Sequence, residues 1–529
     1  MNHTEDPPKT TIAILLRIGP GLIIAGQIVG SGELIATTKT GAEAGFWLLW
    51  LIVIGCVIKV FTQVELGRYT IVAGRTTMQI LNEVPGPRLR VNWILWYWIF
   101  MFLASLAQLG GIVGGVGQAL AITLPITQQG VQFNQYQDTA TRHEVLQALI
   151  NRTEQELGQV DDSRKTQVLE QKLERLREDL SNRSALPKTP PISHDDVIWA
   201  TLITIVTSVA LVLGRYRLVQ TLAALLVAMF TLVTIGNLIH LQTLADWRVS
   251  LTEIADGFRF RLPPVDGTSS IYPLSTALAT FGIIGVGATE LIAYPYWCLE
   301  KGYARWTGVR DSTSGWAERA RGWLHVMKWD AWSSCVLYTF ATVVFYLLGA
   351  AVLGRTGLNP EGTRMIRTLS EMYAPVFGEL AQAVFLFGAV AVLYSTFFLA
   401  NAGHARVSAD ALRVFGISIG TEKARLFWTK VFCGLFPFIC LFVYIYVRAP
   451  VELVLASGVM QAIMLPMLAG AALYFRYKRC DDRLRPGLLW DAMLWLSAFG
   501  CLLAGGWLAL TKIFPQLPVS YTHLTLPTN

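Results

Sequence analysis

Long apolar stretches recur along most of the chain, and each is long enough to cross a lipid bilayer. A membrane-spanning helix needs about 20 predominantly apolar residues. By that measure the sequence predicts an all-α, polytopic membrane protein with eleven spans, centred near positions 24, 58, 108, 205, 230, 285, 340, 390, 436, 464 and 500. The predicted order is a cytoplasmic tail (1–11), spans 1–3 (12–126), an insert (127–195), spans 4–11 (196–512) and a C-terminal tail (513–529).

The insert, residues 127–195, breaks the membrane pattern because charged residues replace the apolar runs. Apolar residues recur there at helical spacing in two sets on either side of GQVDDS: Leu146, Leu149, Ile150 and Leu157, then Leu169, Leu173, Leu176 and Leu180. This spacing predicts an amphipathic helical hairpin outside the bilayer. The hairpin is either a self-packing addition or a surface for a partner or a second copy of the chain.

Charge is scarce and unevenly distributed. Charged residues make up 15% of the chain and hydrophobic residues 53%, whereas soluble proteins carry roughly 25% charged residues. The net charge of +7 comes from basic residues in short loops between spans, near positions 68–90, 301–328 and 476–485. That pattern follows the positive-inside rule and excludes a nucleic-acid-binding protein. It predicts a bacterial inner membrane protein with a cytoplasmic N-terminus, an external insert and an external C-terminus.

Sequence motifs of enzymes are missing. The seven cysteines are scattered without CxxC pairs, and the chain contains neither an HExxH motif nor a Walker loop. We therefore expect no enzyme, no bound cofactor and no ATP-driven pump. His325 and His404 fall near the predicted cytoplasmic ends of their spans and are interpreted as interfacial residues.

An internal repeat links the first and sixth spans. GSGELIA at 30–36 and GATELIA at 287–293 match at five of seven positions, each in the middle of its span. Spans interrupted by glycine at corresponding places in two halves are typical of transporters built from an inverted repeat, with the site at the bilayer midplane. Spans 1–5 and 6–10 would be the two halves, and span 11 an addition.

The repeat also defines candidate chemistry. Glycines let the helices unwind, and unwound backbone exposes carbonyl oxygens such as that of Gly30. A charge at mid-membrane costs at least ~2.5–3.5 kcal/mol, so Glu33 and Glu290 are expected to meet around a bound divalent cation. The alternative is that both glutamates are structural, protonated or paired with a basic residue such as Lys59. Tyr294, just past the second break, is either a packing residue or a gate.

Four stretches carry a resemblance to a known family: GPGLIIAGQIVGSGELIATTKTGAEAGFWLLW, QVELGR, GATELIAYPYWCLEKG and LPMLAGAAL. They resemble the natural-resistance-associated macrophage protein (Nramp) family of divalent metal transporters. The resemblance covers the spans and skips the insert. It implies a LeuT-type fold with a five-plus-five inverted repeat and broken spans 1 and 6. It also implies a metal-binding backbone carbonyl at Ala288 and an accessory role for Gln63.

The chain departs from this family at its metal-binding motifs. The family's DPGN falls on Gly30, Ser31, Gly32 and Glu33, and its methionine and histidine fall on Leu291 and Ala293. An acidic pair on the family's proton route falls on Ser105 and Gln108. We therefore expect uptake of Mg²⁺ or Mn²⁺ through an oxygen-rich site without obligatory proton coupling. The alternative function is a LeuT-type carrier of amino acids or other small organic solutes.

Overall fold

The structure is a computed structural model that describes residues 4–158, 163–182, 191–214, 216–263, 271–418 and 421–513. Within these residues the chain is almost entirely helical, with one antiparallel pair of two-residue strands, Arg88–Leu89 and Val91–Asn92. The turn of the predicted hairpin at GQVDDS and nearly all of the predicted tail 513–529 lie outside the described residues.

Nine helices in the described part of the chain are long and apolar enough to cross a membrane, or ten if one bent pair counts as a single span. A shorter apolar segment, Leu225–Leu241, belongs to the helix at the fifth predicted position. In chain order the spans are 1a (Pro20–Ile28) and 1b (Gly32–Ala44), 2 (Leu49–Ala73), 3 (Trp93–Thr123), 4 (Asp195–Val212), 5 (Tyr216–Leu241), 6a (Ile271–Ile283) and 6b (Ala288–Lys301), 7 (Ser314–Gly354), 8 (Ala381–Val414), 9 (Glu422–Val447), 10 (Pro450–Arg479) and 11 (Leu488–Ile513).

Burial separates the central spans from the peripheral ones. In span 6, 94% of an apolar 18-residue stretch is buried, whereas the corresponding share in each of spans 4, 9 and 11 is 33%. Large apolar side chains such as Phe100, Phe442 and Leu502 cover the outer surface, where lipid can solvate them as well as protein does. The broken spans therefore lie at the centre of the bundle, and the single apolar helices surround them.

The insert forms two helices, Gln128–Leu157 and Ser163–Ser181, at one end of the bundle. Its base is fixed by the buried Asp195, whose carboxylate accepts the backbone N–H groups of Ile126 at 2.7 Å and Thr127 at 3.0 Å. We call this end of the bundle the insert end.

The opposite end, which we call the N-terminal end, is covered by the start of the chain. The Trp323 indole N–H donates to the carbonyl of Glu5 at 2.8 Å, and the Tyr303 hydroxyl donates to that of Arg17 at 3.1 Å. The N-terminal segment is therefore packed against span 7 and the short helix Tyr303–Thr307 that follows span 6b, and it leads into span 1a.

Candidate functional site

Span 1 breaks after Ile28, and its halves are bent by 42°. At the break the backbone of Gly30 approaches span 8 so closely that a Cβ atom would lie 1.8 Å from Thr396 Oγ1. The same Thr396 hydroxyl donates to the carbonyl of Gln27 at 3.1 Å. Beyond the break the chain continues as a wide π-helical turn, Gly32–Thr37. Glycine at position 30 thus lets the opened backbone contact span 8.

Span 6 breaks at residues 284–287, where Gly285 adopts a φ of 54°. The Lys59 ammonium of span 2 donates to the carbonyl oxygens of Phe281, at 2.7 Å, and Ile284. A cation at a helix C-terminus also complements the helix dipole. Lys59 therefore satisfies the carbonyl oxygens at the end of span 6a. These hydrogen bonds go to the backbone rather than to Glu33 or Glu290, the pairing that the sequence offered as an alternative.

A small cavity of about 20 Å³ lies between the two breaks and spans 3, 8 and 10. Since one water molecule requires roughly 10–15 Å³ of such space, the cavity has room for one particle of that size. Much of its wall is polar: Gln27, Ser31, Ser105, Gln108, Thr289, Glu290, Thr396, His404 and Gln461. Two larger open clefts, of about 630 and 620 Å³, lie elsewhere, among the loops of the insert end.

Glu290 brings a carboxylate to this cavity. Its Oε1 accepts the Gln27 amide N–H at 2.9 Å, and its Oε2 accepts the Thr289 hydroxyl at 2.9 Å. A Cβ atom on Gly287 would lie 2.6 Å from Glu290 Oε2, so the glycine leaves space for the carboxylate. The first turn of span 6b thereby holds one acidic group, surrounded by amide and hydroxyl groups, in the cavity wall.

Glu33 has a different environment. Its fully buried carboxylate accepts the Thr342 hydroxyl of span 7 at 3.2 Å and the Gly30 backbone N–H at 3.4 Å, and it is not part of the cavity wall. The two carboxylates therefore do not line one cavity in this structure, contrary to the expectation from the sequence. The wide turn after the break directs Ser31 and Gly32 to the cavity and Glu33 toward span 7.

The predicted backbone ligands are close to the site but do not line the cavity. The Gly30 carbonyl accepts the Leu34 N–H at 2.8 Å, and Ala288 is fully buried at the start of span 6b. No group of three His, Cys, Asp or Glu side chains suited to a metal ion occurs in the described part of the chain. Ligand roles for Gly30, Glu33, Ala288 and Glu290 stay predictions, and an ion at Glu290 would need amide or backbone oxygens as well.

The accessory candidates lie apart from the cavity. The Tyr294 hydroxyl donates to Asp330 at 2.9 Å, and the same carboxylate accepts the backbone N–H groups of Gly19 at 2.7 Å and Gly21 at 2.6 Å. Tyr294 is thus part of the closed N-terminal end. Gln63 is fully buried in span 2, and neither of its amide atoms has a hydrogen-bond partner within the described residues.

Sequence reasoning missed five polar residues of the cavity wall: Gln27, Thr289, Thr396, His404 and Gln461. Amide side chains within apolar spans are a usable signal, because polar groups at membrane depth are costly. The interpretation of His404 as interfacial is wrong: the imidazole is only 6% exposed and lines the cavity.

These features define a class of protein. The structure has many apolar spans, breaks at matching places in helices 1 and 6, and a polar cavity at these breaks. This combination is typical of a LeuT-type, inverted-repeat membrane transporter. The protein is an integral, multi-pass membrane protein of this class, and the predicted all-α architecture with two broken helices is confirmed.

The chain belongs to the natural resistance-associated macrophage protein-like (Nramp) family, whose model matches residues 191–511. A curated relative, the metal transporter Nramp2 of Populus trichocarpa, is 29% identical over 122 residues, which are 22% of this chain and 21% of the relative. The match thus spans about a fifth of that relative's length. Family membership agrees with the expectation of a transporter rather than an enzyme.

Solved structures support the fold. A single-residue variant of the Eremococcus coleocola manganese transporter matches with a TM-score of 0.61 at 16% identity, covering 98% of this chain and 92% of that one. A second variant of the same transporter matches with a TM-score of 0.57 at 15% identity over the same shares. At such identities the likeness establishes the architecture alone.

Proposed function

We propose that this protein carries a divalent metal cation across the membrane through the cavity between the breaks of spans 1 and 6. The observation that supports this best is the Glu290 carboxylate in a small cavity between the breaks of two spans, lined by amide and hydroxyl groups. An ionised carboxylate is costly at that depth unless a cation compensates it. Oxygen donors suit hard divalent ions.

The relatives favour the same substrate class. The poplar protein is named a metal transporter and the Eremococcus coleocola protein a manganese transporter. Leu291 stands where the resemblance places the family's methionine, so no thioether comes from that position. A site rich in oxygen donors favours Mg²⁺ or Mn²⁺ among common divalent ions.

The size of the cavity argues against the alternative substrate. Pockets for organic ligands commonly measure roughly 300–1,000 Å³, whereas this cavity measures about 20 Å³. A dehydrated metal ion fits such a space, and an amino acid does not. A carrier of small organic solutes is therefore the weaker proposal.

We further propose a bacterial inner membrane location, with the N-terminal end cytoplasmic and the insert end and C-terminus external. Basic residues at the N-terminal end, including Arg305, Arg319 and Arg483, support this orientation. The insert would then project to the outside. It stays, as the sequence predicts, either a self-packing addition or a surface for a partner or a second copy of the chain.

Flux into liposomes containing the purified protein tests the proposal. A divalent ion gains ~4.6 kcal/mol per 100 mV on entering a negative interior, more than a thousandfold in concentration. We expect Mn²⁺ or Mg²⁺ uptake that rises with an interior-negative potential while a luminal pH dye stays constant. Glu290→Gln should abolish uptake, and Glu452→Gln, on the exposed surface of span 10, should not.

Three outcomes would contradict parts of this proposal. Wild-type metal uptake by the Glu290→Gln variant would exclude the cavity as the cation site. Luminal acidification that tracks metal entry would refute uncoupled transport. Uptake of amino acids without any divalent metal would favour the alternative carrier.

A further inference from the structure

His404 is an unsatisfied imidazole in the wall of the central cavity. It is 6% exposed, and neither ring nitrogen has a hydrogen-bond partner within the described residues. A neutral imidazole offers one N–H donor and one acceptor nitrogen. Buried polar groups in native proteins are almost always paired, so an unpaired one requires an explanation such as an ion.

The surroundings of His404 hold its ring beside the other polar groups of the cavity. The ring packs edge-on against Phe102, with centroids 5.4 Å apart. The neighbouring Gly403 brings span 8 close to span 1, because a Cβ atom there would lie 3.9 Å from Gln27 Oε1. That Gln27 oxygen also has no hydrogen-bond partner within the described residues, while the Gln27 amide N–H donates to Glu290.

Three kinds of donor therefore line one small cavity: the carboxylate of Glu290, the free amide oxygen of Gln27 and the imidazole of His404. Together they provide one negative charge, oxygen atoms and one nitrogen. Carboxylate and amide oxygens accept Mg²⁺, Ca²⁺ and Mn²⁺ alike. An imidazole nitrogen discriminates, because it favours first-row transition ions over the alkaline-earth ions.

We infer that His404 is a nitrogen ligand of the transported ion and makes the site selective for a transition ion such as Mn²⁺ over Mg²⁺ and Ca²⁺. This inference rests on the proposed function and names its specificity-determining residue. His404 comes from span 8, so the ion would join span 8 to the breaks of spans 1 and 6. Its selectivity would then depend on a residue outside the repeated motifs.

Pulsed electron paramagnetic resonance of Mn²⁺ bound to the purified full-length protein tests this directly. A coordinated imidazole produces ¹⁴N modulation of the Mn²⁺ signal, which should change when the protein is labelled with ¹⁵N-histidine. This measurement needs no substitution, so it is independent of the folding of any variant.

Calorimetric titration with Mn²⁺, Mg²⁺ and Ca²⁺ provides the second measurement. We expect His404→Gln to remove the nitrogen modulation and to weaken Mn²⁺ binding by about tenfold or more, the loss typical of a disturbed metal site. Binding of Mg²⁺ and Ca²⁺ should change far less. His325→Gln is the matched control, because His325 accepts the Trp329 indole N–H at 3.0 Å on span 7, away from the cavity.

The failures of the two proposals are distinguishable. Mn²⁺ binding without nitrogen modulation, or an unchanged preference for Mn²⁺ over Mg²⁺ in His404→Gln, would overturn the role of His404 and leave the proposed function intact. Absence of divalent-ion binding to the wild-type protein would overturn the proposed function and this inference together.

Discussion

At the scale of single residues, Lys59 shows how a buried charge can be structural. Its ammonium lies in the membrane interior, bonded to two carbonyls at the end of span 6a, and contacts the face of Phe281 at 5.0 Å from the ring centroid. A broken helix leaves such carbonyls without partners, and no water is available in the hydrocarbon region to satisfy them. Lys59 thus supplies the hydrogen bonds that the break removes.

We expect Lys59→Met to lower the free energy of unfolding by about 1.5–3 kcal/mol, the range for one hydrogen bond to a charged group. Methionine fills a similar volume but leaves both carbonyls unpaired. Thermal unfolding of the purified protein in detergent measures the change. Lys423→Met, in the exposed first turn of span 9, is the control and should leave Tm nearly unchanged. Equal effects of the two substitutions would contradict this role of Lys59.

At the scale of elements, the insert is docked on the short helix Met365–Ser370, which precedes span 8. The Arg367 guanidinium is 3% exposed and bonds to Asp138, which is 47% exposed, and to Asn134 at 2.6 Å. A neighbouring pair, Arg364 with Glu144, is 43% and 50% exposed. Exposed pairs contribute little, whereas a buried guanidinium needs its partners.

We therefore expect Asp138→Ala to lower the free energy of unfolding by about 1–3 kcal/mol, because Arg367 loses a charged acceptor. Glu144→Ala should change it by less than about 1 kcal/mol. Both substitutions lie on the insert helix Gln128–Leu157, so each is the other's control for helix propensity. Thermal unfolding of the two variants decides the matter, and equal shifts would show that burial of the pair is irrelevant.

At the scale of the whole molecule, one carboxylate closes the N-terminal end. Asp330 of span 7 accepts the N–H groups of Gly19 and Gly21 at the start of span 1a and the hydroxyl of Tyr294 from span 6b. An anion at a helix N-terminus is favourable. Because these bonds join three spans, we expect the cavity to open toward this end when they break.

We expect Asp330→Asn to shift the conformational equilibrium toward the open N-terminal end. An asparagine amide is uncharged and has only one acceptor oxygen, so it cannot replace both carboxylate oxygens of Asp330. If the closed state loses about 1.4 kcal/mol of free energy, the equilibrium constant between the closed and open states shifts tenfold. A cysteine placed at the cavity-lining Ala400 should then react about tenfold faster with a water-soluble maleimide. Asp311→Asn, in an exposed loop at the same end, should have no effect. An unchanged rate in Asp330→Asn would show that this carboxylate does not hold the end closed.

The sequence by itself determined the membrane class and the two breaks, and it predicted where the spans lie. Apolar length fixes where a helix can cross a bilayer, and glycine with glutamate at matching places in spans 1 and 6 marks where it opens. These are local properties of the chain, so they can be read without knowing which residues meet.

Only the tertiary structure decided which side chains face the cavity. A bend and a wide turn in span 1 direct Glu33 toward Thr342, whereas the Glu290 carboxylate accepts a hydrogen bond from Gln27 in the cavity wall. Packing of span 8 against the two breaks places His404 in the same cavity wall as Glu290, although more than a hundred positions separate His404 from either break. Such proximity depends on helix rotation and on packing between distant spans, and neither is encoded in the hydrophobic pattern of one segment.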